Sequence, residues 1–219
     1  VRPILTGVLF DVAGKELTMV ALDGFRMAVK NNIIMNDNDF KAVIPGKTLS
    51  EIGKIINESE DNVNIYFSKN HIQVQIEDTI IISRLLEGEF INYKQIIPAE
   101  YKIKTKVSSN LLMEACDRAA LFARDSSNNM IKFEINDDMM VIMSNSQNGD
   151  VHEELKIQKE GSDIEIAFNA KYFIDVLKVI ESEEITIEFT TNVSPSIIRP
   201  VKDEDYLYLV LPARFKKNN

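Results

Sequence analysis

A lysine at the start of a predicted helix is the first candidate for phosphate chemistry. Gly46-Lys47-Thr48 imitates the end of a phosphate-binding loop, in which the lysine contacts phosphates and the threonine contacts magnesium. Such a loop also requires a glycine five residues before Gly46, where this chain has Lys41. We therefore reject nucleotide binding.

Histidine, cysteine and acidic residues form no catalytic or metal-binding pattern. His71 and His152, the only histidines, stand apart from any cysteine or carboxylate at metal-ligand spacing, and no G-x-S-x-G elbow occurs. Cys116 is the single cysteine and lies in an apolar helical pattern, which favours a buried structural thiol. Carboxylates near predicted turns are scattered as on a solvated surface: Asp11, Asp23, Glu87 and Glu89. We expect no catalytic residue, no metal and no cofactor; a carboxylate metal nuclease is the enzymatic alternative.

Three apolar clusters favour binding over catalysis. Asp23-Gly24-Phe25-Arg26-Met27 follows a predicted strand, residues 87–93 pair a turn with aromatic side chains, and residues 207–215 form an apolar strand ending near Pro212. Each has a plain structural interpretation, such as a type I′ hairpin turn for Asp-Gly. Together they suggest a groove that docks a peptide.

The chain contains an internal repeat of the strands and helices that would position these clusters. Residues 42–56 and 166–180 both begin as a short apolar strand and turn into a helix, with Asn169 as N-cap of the second. Apolar residues at helical spacing predict one buried stripe on each helix: Leu49, Ile52, Ile55 and Ile56, then Phe173, Val176, Leu177 and Ile180. The opposite faces carry matching charges: Lys47, Glu51 and Lys54, then Lys171, Asp175 and Lys178.

Alternating strands complete both copies. Residues 63–67 and 185–189 follow the helices and are typical of half-buried antiparallel strands, and hairpins over residues 8–22 and 131–143 precede them. The sequence therefore predicts an α+β fold of two repeated units, residues 1–102 and 103–219.

One helix lacks a counterpart. Residues 108–123 form a predicted helix ahead of the second hairpin, with Leu112, Ala115, Cys116 and Ala119 on one stripe, whereas the first copy starts at its hairpin. We expect the first unit to lack its opening helix and the natural chain to extend upstream of Val1.

Composition limits the partners. The 219 residues include 25 Lys and Arg against 34 Asp and Glu, a net charge of −9. Tight phosphate binding needs the opposite sign, so any link to DNA must be local, weak or topological. Without a long apolar run or a secretory signal, and with one cysteine, we expect a cytoplasmic protein without a membrane partner.

Short motifs in order along the chain resemble the second and third domains of the bacterial DNA polymerase III β sliding clamp. They lie at residues 2–10, 22–28, 90–93, 118–121, 168–172 and 211–214. The resemblance implies two DNA-clamp domains with antiparallel sheets outside and helices on the inner face. It also implies a non-catalytic processivity factor that surrounds duplex DNA without sequence specificity. Family rings are homodimers when full length, and we expect this chain alone to be a monomer.

The resemblance further implies a groove that binds short peptides of the Gln-x-x-Leu-Phe kind from DNA polymerase, the clamp loader and repair proteins. Its walls would be Leu5, Leu22, Gly24, Phe25, Arg26, Met27, Ile91, Gln95, Ile96, Asn169, Tyr172, Val193, Pro195, Leu209, Val210, Leu211, Pro212, Ala213, Arg214 and Phe215. The chain departs from the family pattern in Ile91-Asn92, in Ala213 and in four residues after Phe215.

Two further sets of residues carry expected roles. Lys47, Lys54, Lys171 and Lys178 would face DNA, or would only solubilise the helices beside Glu51 and Asp175. Leu121 and Phe122 would lie near the subunit interface. The alternative function is a clamp-like adaptor that docks peptides but does not encircle DNA.

Overall fold

The computed structural model describes residues 2–36, 38–56, 63–123, 129–147, 149–203 and 205–214. The chain divides into two compact units: residues 1–24 with 29–93, and residues 25–28 with 94–219. Each unit combines helices with antiparallel sheets, which confirms the predicted α+β class. None of the helices in the described ranges has both the length and the apolar character that a membrane crossing requires.

The first unit is built from two sheets and one α-helix in its described part. Its elements after the 3-10 turn Pro3–Thr6 are β1 Gly7–Ala13, β2 Glu16–Leu22, β3 Arg26–Ile33, β4 Phe40–Pro45, α1 Gly46–Ile55, β5 Asn64–Phe67, β6 His71–Ile76 and β7 Thr79–Arg84. One sheet has the order β3-β2-β1-β4 and the other β5-β6-β7. The first residues of β3 group with the second unit.

The hairpin predicted in the first unit is present. Strands β1 and β2 pair with Val12 opposite Leu17, and both side chains enter a core with Phe10, Ile44, Ile52, Ile72 and Val74. Gly14 makes the turn with φ at +56°, a conformation that glycine adopts without a steric penalty.

Two predictions of burial in the first unit are wrong. Ile55 and Ile56 are 40% and 41% exposed, because α1 ends at Ile55 and Ile56 has extended backbone. Ile65, on the predicted inner face of β5, is also exposed, because β5 is an edge strand with β6 as its one neighbour in that sheet.

The second unit also has two sheets, and two α-helices in its described residues. Its elements are β8 Ile103–Ser108, α2 Ser109–Ala123, β9 Met130–Asn136, β10 Met139–Ser146, β11 Gly149–Lys156, β12 Gln158–Glu160, β13 Ile164–Asn169, α3 Ala170–Leu177, β14 Glu184–Phe189, β15 Ser196–Pro200 and β16 Tyr206–Val210. The sheets have the orders β12-β8-β14-β15-β16 and β11-β10-β9-β13.

The helices of the second unit bury the predicted stripes. On α2, the stripe is fully buried at Leu112, Ala115, Cys116 and Ala119, and burial raises the pKa of the Cys116 thiol. On α3, Phe173, Val176 and Leu177 are buried, and Ile180 packs against the same core from beyond the helix end. The predicted burial of Cys116 is confirmed, and so is the helix predicted over residues 108–123, which is Ser109–Ala123 in the structure.

Three phenylalanines form the centre of this core. The ring of Phe173 lies 5.0 Å from that of Phe133 and 4.5 Å from that of Phe168. Their planes are inclined at 60° and 56°, which is the geometry that aromatic quadrupoles favour. The strand β13 and the helix α3 that follows it are thereby fixed to strand β9.

Candidate functional site

The site begins with a short segment, Phe25–Ala28, that packs with the second unit. The backbone N–H of Leu211 donates to the carbonyl oxygen of Phe25 at 2.8 Å. Met27 is 2% exposed, so its side chain anchors the segment by burial. Residues from the two ends of the chain therefore lie side by side.

The last strand positions the C-terminal side of the site. Strand β16 pairs with β15, with Val210 opposite Ser196 and Leu209 opposite Ile197. Beyond Val210 the chain leaves the strand, and the N–H of Ala213 donates to the carbonyl oxygen of Ala167 at 2.7 Å. The half-buried side chains of Leu211 and Pro212 lie in this fixed extension.

The start of helix α3 supplies the other side of the site. Asn169 caps the helix as predicted, because its Oδ1 accepts a hydrogen bond from the N–H of Lys171 at 3.0 Å. The N–H of Ala170 donates to the carbonyl oxygen of Asn129 at 2.8 Å. These two hydrogen bonds, from the N–H groups of Ala170 and Lys171, hold the first turn of α3, which carries Tyr172.

Phe25, Arg26, Tyr172 and Asp175 form a cluster that we call the aromatic platform. The rings of Phe25 and Tyr172 stack with centroids 5.8 Å apart and planes inclined at 22°. The Cζ of Arg26 lies 4.8 Å from the centroid of the Tyr172 ring, within cation–π range. Its Nη1 donates to Oδ2 of Asp175 at 2.7 Å.

The platform has the chemistry of a docking surface. Phe25 is 57% exposed although it is a large apolar side chain, and the guanidinium beside it offers donors in a fixed plane. Aromatic and arginine side chains contribute most of the binding energy in many interfaces. No group of three or more His, Cys, Asp or Glu that could hold a metal occurs in the part of the chain that the structure describes.

The structure distributes the predicted groove residues between the units. Those of the second unit include the platform's Phe25, Arg26 and Tyr172, and also Met27, Gln95, Ile96, Asn169, Val193, Pro195, Leu209, Val210, Leu211, Pro212, Ala213 and Arg214. Leu5, Leu22, Gly24 and Ile91 belong to the first unit, and Phe215 lies outside the described residues. The type I′ turn considered for Asp23-Gly24 is absent, since neither residue has positive φ.

Two family models match the chain in tandem. The model of the "DNA polymerase III beta subunit, central domain" matches residues 1–92, and that of the "DNA polymerase III beta subunit, C-terminal domain" matches residues 94–214. The chain belongs to this family.

Proteins similar to this chain over nearly its whole length are named as sliding clamps or as β subunits of DNA polymerase III. The "Beta sliding clamp" of Staphylococcus epidermidis is 36% identical over 216 residues, which is 97% of this chain and 57% of that protein. The crystal structure of the Bacillus subtilis DNA polymerase sliding clamp is 35% identical, with a TM-score of 0.94 over 98% of this chain and 58% of that one. The Thermotoga maritima β subunit is 34% identical with a TM-score of 0.91, over 97% and 58%. The chain thus spans less than two thirds of these relatives.

The remaining candidate residues of this β-subunit chain lie on surfaces. Lys47 and Lys54 on α1, and Lys171 and Lys178 at α3, are exposed, and Lys54 pairs with Glu51 at 2.9 Å. At the end of α2, Leu121 is 59% exposed. Phe122 is half-buried, and its ring lies against Gly149. His71 and His152 are exposed strand residues, as predicted.

The residues predicted for the groove do not include one member of the platform, Asp175. Asp175 was interpreted as a neighbour of Lys171 and Lys178, whereas the structure pairs it with Arg26. The sequence does indicate that Asp175 lies beside Tyr172, because residues three apart on a helix share a face and Asp175 follows Tyr172 by three.

Proposed function

We propose that this chain forms the middle and C-terminal domains of a bacterial replication sliding clamp, residues 1–102 and 103–219. In this proposal it is a non-catalytic processivity factor that acts in the cytoplasm on duplex DNA. The tandem family matches and the fold shared with solved clamps support it. Residues 94–102 precede β8 and group with the second unit, although these bounds assign them to the middle domain.

The function that the site supports best is the docking of short peptides from DNA polymerase, the clamp loader and repair proteins. The hydrogen bond between Leu211 and Phe25 carries this proposal, because it joins an exposed aromatic platform to an apolar extension. Leucine and phenylalanine anchors of a peptide would pack against Leu211, Pro212 and Phe25. The guanidinium of Arg26 would contact a peptide amide or carbonyl group.

Calorimetric titration with a peptide of the Gln-x-x-Leu-Phe kind tests the docking surface. Short peptides of this type are expected to bind at micromolar strength, about −8 kcal/mol. Leu211→Ala should weaken binding by about 1–2 kcal/mol if Leu211 is a central contact. Binding of Leu211→Ala at the parent affinity would place the docking surface elsewhere.

Two leucine variants serve as matched controls. Leu111→Ala makes the same change at a side chain that is 54% exposed on α2, and peptide binding should be unchanged. Leu177→Ala removes a buried side chain of α3 and should lower the free energy of unfolding by about 2–5 kcal/mol without changing the affinity of folded molecules.

Encirclement of DNA is a separate claim and needs a topological test. A closed ring should remain on circular duplex DNA and slide from the ends of linear DNA, in experiments with the complete product of the gene. An adaptor that only docks peptides would bind the peptide and show no difference between the two DNA forms. That result would favour the alternative function.

The proposed DNA-facing lysines predict a salt dependence. Replacing Lys47, Lys54, Lys171 and Lys178 by glutamate should weaken DNA contact and leave peptide affinity intact. Each lost phosphate contact should reduce the slope of log affinity against log salt by roughly 0.9. An unchanged slope in the fourfold variant would show that these lysines only solubilise the helices.

A further inference from the structure

The carboxylate of Asp175 contacts the arginine of the aromatic platform. Its Oδ2 accepts from Nη1 of Arg26 at 2.7 Å, while the same guanidinium lies over the ring of Tyr172. Tyr172 and Asp175 are three residues apart on α3, so one helix face presents both the ring and the carboxylate. The Arg26 side chain is 25% exposed and that of Asp175 is 34% exposed, so water only partly screens the pair.

The internal repeat provides a comparison within the same molecule. Glu51 occupies the position of α1 that corresponds to Asp175, and it pairs with Lys54 of its own helix at 2.9 Å. The position corresponding to Tyr172 is Thr48, whose hydroxyl contacts that of Ser83 at 2.8 Å. The common helix face therefore forms a local ion pair in the first copy. In the second copy the carboxylate reaches to a residue far away in the sequence.

We propose that Asp175 is a positioning residue that sets the charge preference of the docking surface. By holding the guanidinium of Arg26 against Tyr172, it fixes the platform and offsets positive charge on that guanidinium. The surface then favours a peptide with an uncharged amide at the contacting position over one with a carboxylate. This inference rests on the proposed docking function.

The proposal predicts what loss of the carboxylate would do. With asparagine at position 175, the guanidinium keeps a hydrogen-bonding neighbour but loses the negative charge of Asp175. An acidic peptide would then gain an ion pair with Arg26 and escape repulsion by Asp175. A fixed structural role alone would change the affinities of neutral and acidic peptides by the same factor.

The experiment is a calorimetric titration of the full chain with two peptides. One is the Gln-x-x-Leu-Phe peptide, and the other has glutamate in place of that glutamine. The parent should bind the glutamine peptide more tightly. Asp175→Asn should shift the ratio of the two dissociation constants toward the glutamate peptide by about three- to fivefold, as expected for one partly exposed ion pair. The shift should shrink in 0.5 M salt, where such pairs are screened.

Matched variants separate this role from a general effect of charge or folding. Glu51→Gln removes one negative charge at the corresponding helix position and should leave the ratio at the parent value, whereas Asp175→Glu should keep the preference for the glutamine peptide. An unchanged ratio in Asp175→Asn, with the parent still binding, would overturn this inference alone. A parent chain that binds neither peptide would overturn the docking function, and this inference with it.

Discussion

Phe173→Ala should be among the most destabilising single substitutions in the second unit. The side chain is fully buried, and its ring contacts the rings of Phe133 and Phe168 at 5.0 and 4.5 Å. Replacing a buried phenylalanine by alanine costs about 3–5 kcal/mol. Each inclined ring pair adds about 0.5–1.5 kcal/mol beyond its burial. We therefore expect the upper part of the range, about 4–5 kcal/mol.

Urea unfolding followed by circular dichroism measures this loss. With a slope of about 2 kcal/mol per molar urea, a loss of about 4 kcal/mol lowers the midpoint of the second unit by about 2 M. Phe173→Leu keeps most of the volume and should cost less than about 1.5 kcal/mol plus the lost ring contacts. This variant keeps the comparison possible if the alanine variant does not fold.

Phe25→Ala is the control for the same change at the surface. Phe25 stacks on Tyr172 but is 57% exposed, so its removal should cost less than about 1 kcal/mol of stability while weakening peptide binding. Equal losses of stability in the two alanine variants would refute the assignment of the phenylalanine cluster as the centre of the core.

Three further predictions concern single side chains. Because burial raises the pKa of the Cys116 thiol, a maleimide should label it only in unfolded protein, and native labelling at the unfolded rate would contradict its burial. Hydrogen bonds from Arg118 lower the pKa of Glu153, so this carboxylate stabilises the fold above its unfolded pKa of about 4.3 and less as pH falls through the lower folded value. Thermal melts should then show Glu153→Gln less stable than the parent at pH 7, with a smaller difference at pH 3. Gly161→Ala should lower the free energy of unfolding, measured by urea titration, by about 1–3 kcal/mol or more. The reason is that φ is +95° at this position and a Cβ would overlap the Lys102 carbonyl oxygen.

Most elements of the fold were accessible from the sequence because they depend on local periodicity. The helix predicted over residues 108–123 is Ser109–Ala123, and the cap at Asn169 has the expected hydrogen bond. Both signals act within one or two helical turns. The errors at Ile55 and Ile65 arose where burial depends on the end of a helix or the edge of a sheet. Local periodicity shows neither where a helix ends nor which strand lies at the edge of a sheet.

The candidate site was only partly accessible for the same reason. The sequence selected Phe25, Arg26 and Tyr172 through the family resemblance, but it gave no distance between them. Asp175 joins them through an ion pair with a residue 149 positions earlier. Such a partner is invisible to a search for charges at i, i+3 or i, i+4, which instead favoured the lysines of the same helix.

Within the second unit, the lysines on the sheets and those at helix α3 differ in whether they form ion pairs. On its sheets, lysines form ion pairs across strands, Lys106 with Glu184 at 2.6 Å and Lys132 with Glu165 at 2.9 Å. Lys132 also pairs with Glu134 of its own strand at 2.7 Å. The pairs that cross strands offset charge on the sheet surfaces, since cross-strand charges of opposite sign are stabilising.

The lysines at helix α3 are arranged differently. Neither Lys171 nor Lys178 forms an ion pair with a carboxylate in the described ranges, and Asp175, which stands between them, pairs with Arg26 instead. Pairing Asp175 with Arg26 therefore has a second effect, because it leaves positive charge on the exposed helix face. A chain with a net charge of −9 therefore carries unpaired lysine charge at α3, which is the sign that the proposed contact with a DNA backbone needs.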